Sequence, residues 1–361
     1  MLYNSYVHLL FPQLEGGRFM RRFLPILLIA CFMLVLIVGG TTYLSGFAAK
    51  TNKEHREQLI VYTTLPIEHI SLLAQEFERS RSIQIRLIPV SEKDLATRLK
   101  QEADHPNADL VLAPKGILEN LRLLGLLQQV ATEQTDILPG QFKDPNQYWT
   151  GLWYDPVVFA VRRDYLLTNP APANWSDLVR TGSMRLAMTD FFAADAAANL
   201  LFSLTMENGE EQTLSYLKTI HPQMSQYAKF LSTPVRMAGM GECDVAIAVQ
   251  SETLRYQAEG FPVEIVYPAE GTSYLLTGAA VIKHASHSSQ AVDFLDWLLQ
   301  SEAQTVLDTN RFYFTSVNPE SKKYRDMNQR QIKVFDKEIL YTPDERRKLL
   351  DNWAQSVRLG R

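Results

Sequence analysis

The sequence has few cysteines and no excess of positive charge, and both shortages exclude classes of protein. Two cysteines cannot build a disulfide framework, and neither a C-x-x-C nor an H-E-x-x-H motif of the kind that binds zinc is present. Lys and Arg number 36 against 40 Asp and Glu, so nucleic-acid binding lacks its usual electrostatic support. We therefore expect no metal site, no cofactor and no nucleic-acid partner.

The sequence also lacks the common catalytic signatures. It contains no G-x-S-x-G nucleophile elbow, no Walker A loop and no G-x-G-x-x-G fingerprint. The seven histidines are scattered along the chain rather than grouped at metal-ligand spacing. We therefore predict that the chain is not an enzyme.

What is present is enough apolar surface for a large folded protein. The chain has 361 residues, of which 46% are hydrophobic and 21% charged. This composition is ordinary for globular proteins and excludes disorder as the main state. At roughly 150 residues per domain, the length predicts about two domains.

The amino-terminal segment predicts export across a membrane. Residues 23–49 carry no charge, and three arginines precede them. Because positive residues remain on the cytoplasmic side, everything after this segment should cross the membrane. We assign residues 1–22 as a cytoplasmic n-region, of which 1–19 are alternatively an over-extended start. Residues 23–48 are a signal peptide or an anchor, and 49–58 are a tether.

Three fates of the apolar segment remain open. Cleavage after Ala48 fits the small residues that precede this position. Retention as an anchor fits the length of the uncharged run. Lipid attachment at Cys31 fits the sequence Leu28-Ile29-Ala30-Cys31, which resembles a lipobox.

The rest of the chain alternates strand-like and helix-like segments, which predicts an α/β fold with mostly parallel sheets covered by helices. Ser91 with Asp94, and Thr342 with Glu345, match the capping box that opens a helix. The predicted strands are 59–62, 83–87, 108–113, 151–162, 185–188, 244–249, 263–266 and 279–282.

Candidate binding residues follow the ends of the predicted strands. Open α/β sheets bind ligands at the carboxyl ends of their strands, where the helices that follow present backbone N–H groups. This arrangement favours a small anionic ligand, with Lys115 supplying a cation. The candidates are Thr63, Thr64, Lys115, Thr189, Asp190, Gln250, Ser251 and Tyr274.

Several segments resemble one family. LIVYTTLPIEH, ADLVLAPKG, YWTGLWYDPVVFAVRRDYL, AVDFLDWLLQSEAQ and FTSVNP occur in the order typical of extracellular solute-binding proteins of bacterial ABC transporters. The subgroup is the ferric-ion, phosphonate and phosphosugar type, with the type II periplasmic-binding fold. The resemblance covers about residues 59–355.

The resemblance implies two lobes that close on a ligand, and a membrane permease that recognises the closed form. Lobe 1 would comprise 59–152, lobe 2 would comprise 153–269, and 270–361 would return to lobe 1 and form the terminal helices. The protein would be a monomer outside the cytoplasm, binding a small molecule or ion. A membrane-tethered sensor with the same fold is the alternative.

One departure bears on the ligand. Ferric binders of this group carry a tyrosine pair where this chain has Gln250-Ser251-Glu252. Direct iron binding by such a pair is therefore not expected.

Overall fold

The computed structural model of the chain describes residues 58–180, 184–335 and 341–360. Its strands are β1 Gln58–Thr63, β2 Gln84–Pro89, β3 Leu110–Pro114, β4 Thr150–Arg162, β5 Leu186–Thr189, β6 Met224–Ala228, β7 Val245–Val249, β8 Val263–Val266, β9 Tyr274–Val281 and β10 Thr315–Ser316.

Helices follow most of these strands. They are α1 Ile67–Arg81, α2 Glu92–Gln101, α3 Lys115–Leu123, α4 Glu133–Asp136, α5 Arg163–Leu166, α6 Asp177–Arg180, α7 Asp195–Asn208, α8 Glu210–Ile220, α9 Ser232–Gly239, α10 Gln250–Ala258, α11 Ser288–Leu298, α12 Ser301–Thr309, α13 Lys322–Gln329 and α14 Pro343–Trp353. Short 3₁₀ turns lie at Gly140–Phe142 and His221–Gln223, and a π-helical turn at Ala354–Arg358 follows α14.

One sheet runs through the described residues in the order β2-β1-β3-β9-β4-β7-β5-β6, with β8 and β10 also paired to β4. The pairs at the two ends of this order are parallel: β1 with β2 and β3, and β5 with β6 and β7. The pairs in the middle, β3–β9, β9–β4 and β4–β7, are antiparallel. The predicted α/β class is confirmed, and the antiparallel pairs are confined to the two strands that connect the parallel sets.

The hydrophobic core is divided into clusters on either side of those connecting strands. A first cluster surrounds β1, β3 and β9 and includes Phe77, Phe294 and Trp297. A second cluster surrounds β5 and one face of β7. It includes Val245, Ile247 and Val249 of β7 and Trp353 of α14. The intervening alanines of β7 point to the opposite face, where they form a small third cluster with Cys243.

Two glycines allow the connecting strands to approach closely. Gly151 of β4 and Gly278 of β9 are direct partners across the antiparallel pair. A Cβ at Gly278 would lie 2.5 Å from the carbonyl oxygen of Thr150, and one at Gly151 would lie 2.6 Å from that of Phe142. Both contacts are shorter than van der Waals distance, so only glycine fits at this point of the sheet.

The two predicted capping boxes have different outcomes. The Thr342 hydroxyl accepts from the Glu345 N–H, and the Glu345 carboxylate accepts from the Thr342 N–H, as predicted. The prediction of a capping box at Ser91 was wrong, although α2 does begin at the next residue, Glu92. The Ser91 hydroxyl donates to the carboxylate of Asp94 and caps no backbone N–H.

The amino-terminal assignments, from residue 1 to the tether, lie outside the described residues except for Gln58. Within the described ranges, no helix is both long and apolar enough to cross a membrane.

Candidate functional site

The strand register brings the loops that carry the predicted binding residues together where β4 and β9 connect the two parallel sets of strands. This region is the boundary between the two sets. Pro114 at the end of β3 pairs with Thr277 of β9, and Tyr274 at the start of β9 pairs with Pro156 of β4. The next residue of β4, Val157, pairs with Val249, the last residue of β7. The carboxyl ends of both parallel sets therefore face each other across the segment where β4 and β9 connect them.

Thr63 and Thr64 lie on the first side of this boundary, at the end of β1. Thr63 is buried, and its Oγ1 accepts a hydrogen bond of 3.0 Å from the Leu65 N–H. The Oγ1 of Thr64 is buried without a hydrogen-bond partner among the described residues. A buried unpartnered hydroxyl costs about 1–3 kcal/mol, so it marks a place where a further group is needed.

Lys115 begins α3 on the same side. Its Nζ lies 5.6 Å from the ring centroid of Trp149, whose indole N–H donates to Glu119 at 2.7 Å. Burial acts to raise the pKa of Glu119, but hydrogen bonds from Arg122 and Trp149, together with the charge of Lys115, bring this pKa below its usual value. The cation is therefore held by a cation–π contact near a carboxylate rather than standing free.

Thr189 and Asp190 lie on the second side, after β5, and both are buried. The Thr189 hydroxyl donates to the Phe230 carbonyl at 3.4 Å. Asp190 accepts from the Phe192 N–H at 2.9 Å and forms an ion pair with Arg358 beyond α14. The polar atoms of this loop thus already have partners within the protein.

Gln250 begins α10, and its side chain forms hydrogen bonds with residues outside that helix. Its side-chain amide donates to the Thr315 hydroxyl at 2.9 Å, and its carbonyl oxygen accepts from the Tyr267 hydroxyl at 2.8 Å. Because Gln250 is buried, these bonds hold α10 against β10 and the chain after β8. Gln250 therefore has a structural role at the boundary, because both its amide nitrogen and its amide oxygen are hydrogen-bonded within the protein.

Ser251 is hydrogen-bonded to Asp155 of β4, which is not among the candidates predicted from the sequence. The Asp155 carboxylate accepts from the Ser251 N–H at 2.9 Å and from the Ser251 hydroxyl at 2.5 Å. Complete burial raises the pKa of Asp155 to about 7, against the opposing effect of these two bonds. Asp155 is the only acid in this mostly apolar 13-residue strand, and this was the available signal in the sequence.

Tyr274 belongs to an aromatic group at the start of β9. Its ring centroid lies 5.9 Å from that of Tyr154 and 6.0 Å from that of Phe142, both edge to face. The arrangement fixes the rings where β4 and β9 leave the boundary. Tyr274 is only partly buried, so one part of its side chain remains accessible.

The eight candidates thus meet at one boundary but do not form one hydrogen-bonded cluster. Thr63, Thr64, Lys115 and Tyr274 belong to the first side, and the other four to the second. Among the residues that the structure describes, no group of three His, Cys, Asp or Glu side chains is arranged to hold a metal ion.

Two parallel strand sets that face each other across two connecting strands define a two-lobed α/β binding protein of the type II periplasmic-binding fold. The model of the family of bacterial extracellular solute-binding proteins matches residues 61–312. The chain belongs to this family. Its predicted resemblance to ABC-transporter binding proteins of the ferric-ion and phosphosugar type is thereby confirmed.

Similar proteins span most of the chain. An uncharacterized protein of Haemophilus influenzae is 24% identical over 344 residues, covering 90% of this chain and 98% of that protein. Iron uptake protein A1 of Synechocystis is 22% identical, covering 72% of this chain and 76% of that protein.

Solved structures support the same fold. The periplasmic binding protein AfuA of Actinobacillus pleuropneumoniae, with fructose-6-phosphate bound, has a TM-score of 0.67 and 25% identity and covers 84% of this chain and 99% of its own. Iron-bound HitA of Pseudomonas aeruginosa has a TM-score of 0.68 and 18% identity and covers 82% of this chain and 99% of its own.

Proposed function

We propose that this chain is the extracytoplasmic solute-binding component of an ABC importer. It captures a small anionic solute or metal complex between two closing lobes and delivers it to a membrane permease, without catalysis. The observation that carries the proposal is the meeting of both sets of strand ends at the boundary spanned by β4 and β9. Such a boundary is where α/β sheets bind ligands, and two connecting strands allow hinge closure.

The lobes we propose are 59–152 and 153–269, with 270–361 supplying the second connecting strand, further elements of lobe 1 and the terminal helices. Each lobe has a hydrophobic cluster of its own, which supports movement as a separate body. We propose that the protein acts as a monomer and has no nucleic-acid partner. Its place is the periplasm or the outer face of the cytoplasmic membrane.

The first side of the boundary is the better place for the anionic group of the solute. On the second side, Asp155 already accepts from the first turn of α10, and Asp190 is paired with Arg358. On the first side, α3 begins at Lys115, and the buried Thr64 hydroxyl has no partner among the described residues. A helix start, a cation and a free hydroxyl together favour an anion there.

Replacing Thr64 with valine is expected to weaken solute binding while increasing the stability of the unliganded protein. The unliganded variant should be about 1 kcal/mol more stable, because valine fills the same volume without a buried unpartnered hydroxyl. Its solute affinity should fall by about tenfold, the value of one lost hydrogen bond. Thr213→Val is the matched control, since the Thr213 hydroxyl is also buried and unpartnered among the described residues but lies on α8. Chemical denaturation measures the stability, and calorimetric titration measures the affinity.

The solute class is tested by a thermal-shift screen of the full-length chain in mild detergent. The panel contains phosphonates, sugar phosphates, polyamines and ferric complexes. A rise in Tm with an anionic compound, reduced in Thr64→Val and retained in Thr213→Val, is the expected result. A response confined to polyamines would overturn the anionic assignment, and equal responses of both variants would remove Thr64 from the site.

A membrane-tethered ligand sensor is the second candidate function, and one observation favours it. Residues 23–49 form an uncharged run long enough to span a bilayer, and a diffusible binding protein would have no use for such an anchor. A full-length chain that remains in the membrane fraction and does not support uptake of its solute would favour the sensor. Uptake that depends on this chain would favour the importer.

A further inference from the structure

The second side of the boundary contains a small apolar cavity. It has a volume of about 10 Å³ and is partly open to the outside, and its lining includes the last residues of β5 and β7, the first turn of α7 and Leu231. Val157 of β4 also lines it, and this residue pairs with Val249 at the boundary. The cavity therefore lies at the carboxyl ends of the strands, where α/β sheets bind ligands.

The lining favours an apolar group over water. Thr189 supplies the only polar side chain among the described residues that line the cavity, and its hydroxyl already donates to the Phe230 carbonyl at 3.4 Å. A buried water makes about three hydrogen bonds, which these side chains cannot provide. A methyl group is close to a water molecule in size, and it would make dispersion contacts with the lining.

Two exposed phenylalanines follow the same strand ends. Phe192 is 52% exposed and lies in the loop between β5 and α7, and Phe230 is 63% exposed and directly precedes Leu231. The hydrogen bond from Thr189 to the Phe230 carbonyl joins the two loops that carry them. Exposed aromatic side chains on joined loops beside an apolar cavity are typical of a binding surface.

The two sides of the boundary thus differ in chemical character. On the second side, Asp190 is paired with Arg358, and the Asp155 carboxylate accepts from Ser251, so these acids are already engaged within the protein. On the first side, Lys115 and the Thr64 hydroxyl are placed to meet a charged group. A solute that spans the boundary would therefore meet polar groups at one end and apolar side chains at the other.

We propose that the cavity receives the short aliphatic end of the solute. The solute is then an anion whose charged group lies on the first side and whose unbranched alkyl group lies on the second. The proposal rests on the proposed function, because it assigns the second half of the solute bound at the same boundary. A solute that is polar at both ends would lose affinity, because a hydroxyl facing this lining has no hydrogen-bond partner.

Monoalkyl phosphates from methyl to hexyl test the alkyl group. The charged group is constant along the series, so a change in affinity reports on the apolar side alone. We expect the affinity to rise by about fourfold for each methylene that becomes buried, and to stop rising when the terminal methyl group fills the cavity. Calorimetric titration of the full-length chain in mild detergent measures the series. Equal affinities from methyl to hexyl would overturn the proposal.

A matched pair of compounds separates apolar contact from length. The tightest-binding alkyl phosphate is compared with the analogue in which a hydroxyl replaces its terminal methyl group. We expect the hydroxyl analogue to bind about tenfold more weakly, because its hydroxyl is buried without a partner. Equal or tighter binding of the hydroxyl analogue would contradict the apolar assignment.

Two variants assign the effect to the cavity. Ala197→Leu places a larger side chain in the lining, so it should weaken the tightest-binding alkyl phosphate by about tenfold and leave methyl phosphate unchanged. Ala198→Leu is the matched control on the next, partly buried position of α7, and it should behave like the parent protein. Leu231→Ala enlarges the cavity and should shift the preference to a longer chain, which keeps the test available if Ala197→Leu does not fold.

The outcomes distinguish this proposal from the proposed function. If Ala197→Leu is more stable than the parent but binds every alkyl phosphate equally well, the cavity is only a packing defect and the proposal fails. Binding of a sugar phosphate or ferric complex, but of no alkyl phosphate, would also overturn the aliphatic assignment while leaving solute binding intact. If no anion of either panel binds, the anionic assignment of the proposed function fails together with this one.

Discussion

Replacing Asp155 with asparagine is expected to remove a large pH dependence from the stability of the protein. Burial raises the folded-state pKa of Asp155 to about 7, well above its ordinary value of 3.8. The folded protein therefore holds a proton that the unfolded chain releases between these two pH values. In this window the contribution of Asp155 to the free energy of unfolding falls as pH rises, by at most about 4 kcal/mol.

The measurement compares urea denaturation of the parent protein and Asp155→Asn from pH 4 to pH 8. The stability of the variant relative to the parent should increase across this range, because asparagine carries no charge to bury but still accepts from the Ser251 N–H. Asp244→Asn is the control of opposite sign. Burial opposes ionisation of Asp244, but hydrogen bonds and charge from Arg185 hold its pKa below the usual value. Its replacement should therefore destabilise the protein at pH 8. Parallel curves for the parent and Asp155→Asn would contradict the buried-carboxyl interpretation.

Replacing Trp353 with alanine should cost about 3–5 kcal/mol of stability, the range for truncating a buried aromatic side chain. Trp353 is fully buried, and its ring centroid lies 4.7 Å from that of Phe191 and 5.5 Å from that of Tyr227. The residue seats α14 on the second cluster, so its loss leaves a cavity between the helix and the sheet.

Trp353→Phe is the matched control. The indole N–H has no hydrogen-bond partner among the described residues, so the phenyl ring loses volume but no bond. We expect a loss clearly smaller than that of alanine, measured by guanidinium denaturation monitored by circular dichroism. Equal losses for alanine and phenylalanine would mean that the indole nitrogen, not the packed ring, carries the effect.

Much of the fold could be predicted because its strands are buried on both faces. β4 was predicted at 151–162 and is Thr150–Arg162, because its aromatic and β-branched residues favour a strand and Pro156 would interrupt a helix of that length. β8 was predicted at its observed bounds. β6 was missed because Met224–Ala228 is short, has only one buried residue and lies at the edge of the sheet. Strand prediction therefore failed at β6 for lack of burial, whereas the first half of β9 (predicted at 279–282, observed at Tyr274–Val281) and the two-residue strand β10 were missed although they contain buried residues.

The site could be predicted only as a set of loops. Strand ends identify Thr64, Lys115 and Ser251, because the carboxyl ends of parallel strands meet at one edge. Their partners come from distant parts of the chain, as with Ser251 and Asp155, which are 96 residues apart. Such pairs depend on the register of β4 against β7, which no local pattern reveals.

The central claim is that a small solute binds at the boundary between the lobes. Native mass spectrometry tests it most directly, using the full-length chain in mild detergent after incubation with a small-molecule extract of its source cells. We predict a one-to-one adduct that disappears on denaturation and is weakened in Thr64→Val but not in Thr213→Val. Only the unliganded mass across all fractions of the extract, or an adduct of equal strength in both variants, would contradict binding at this boundary.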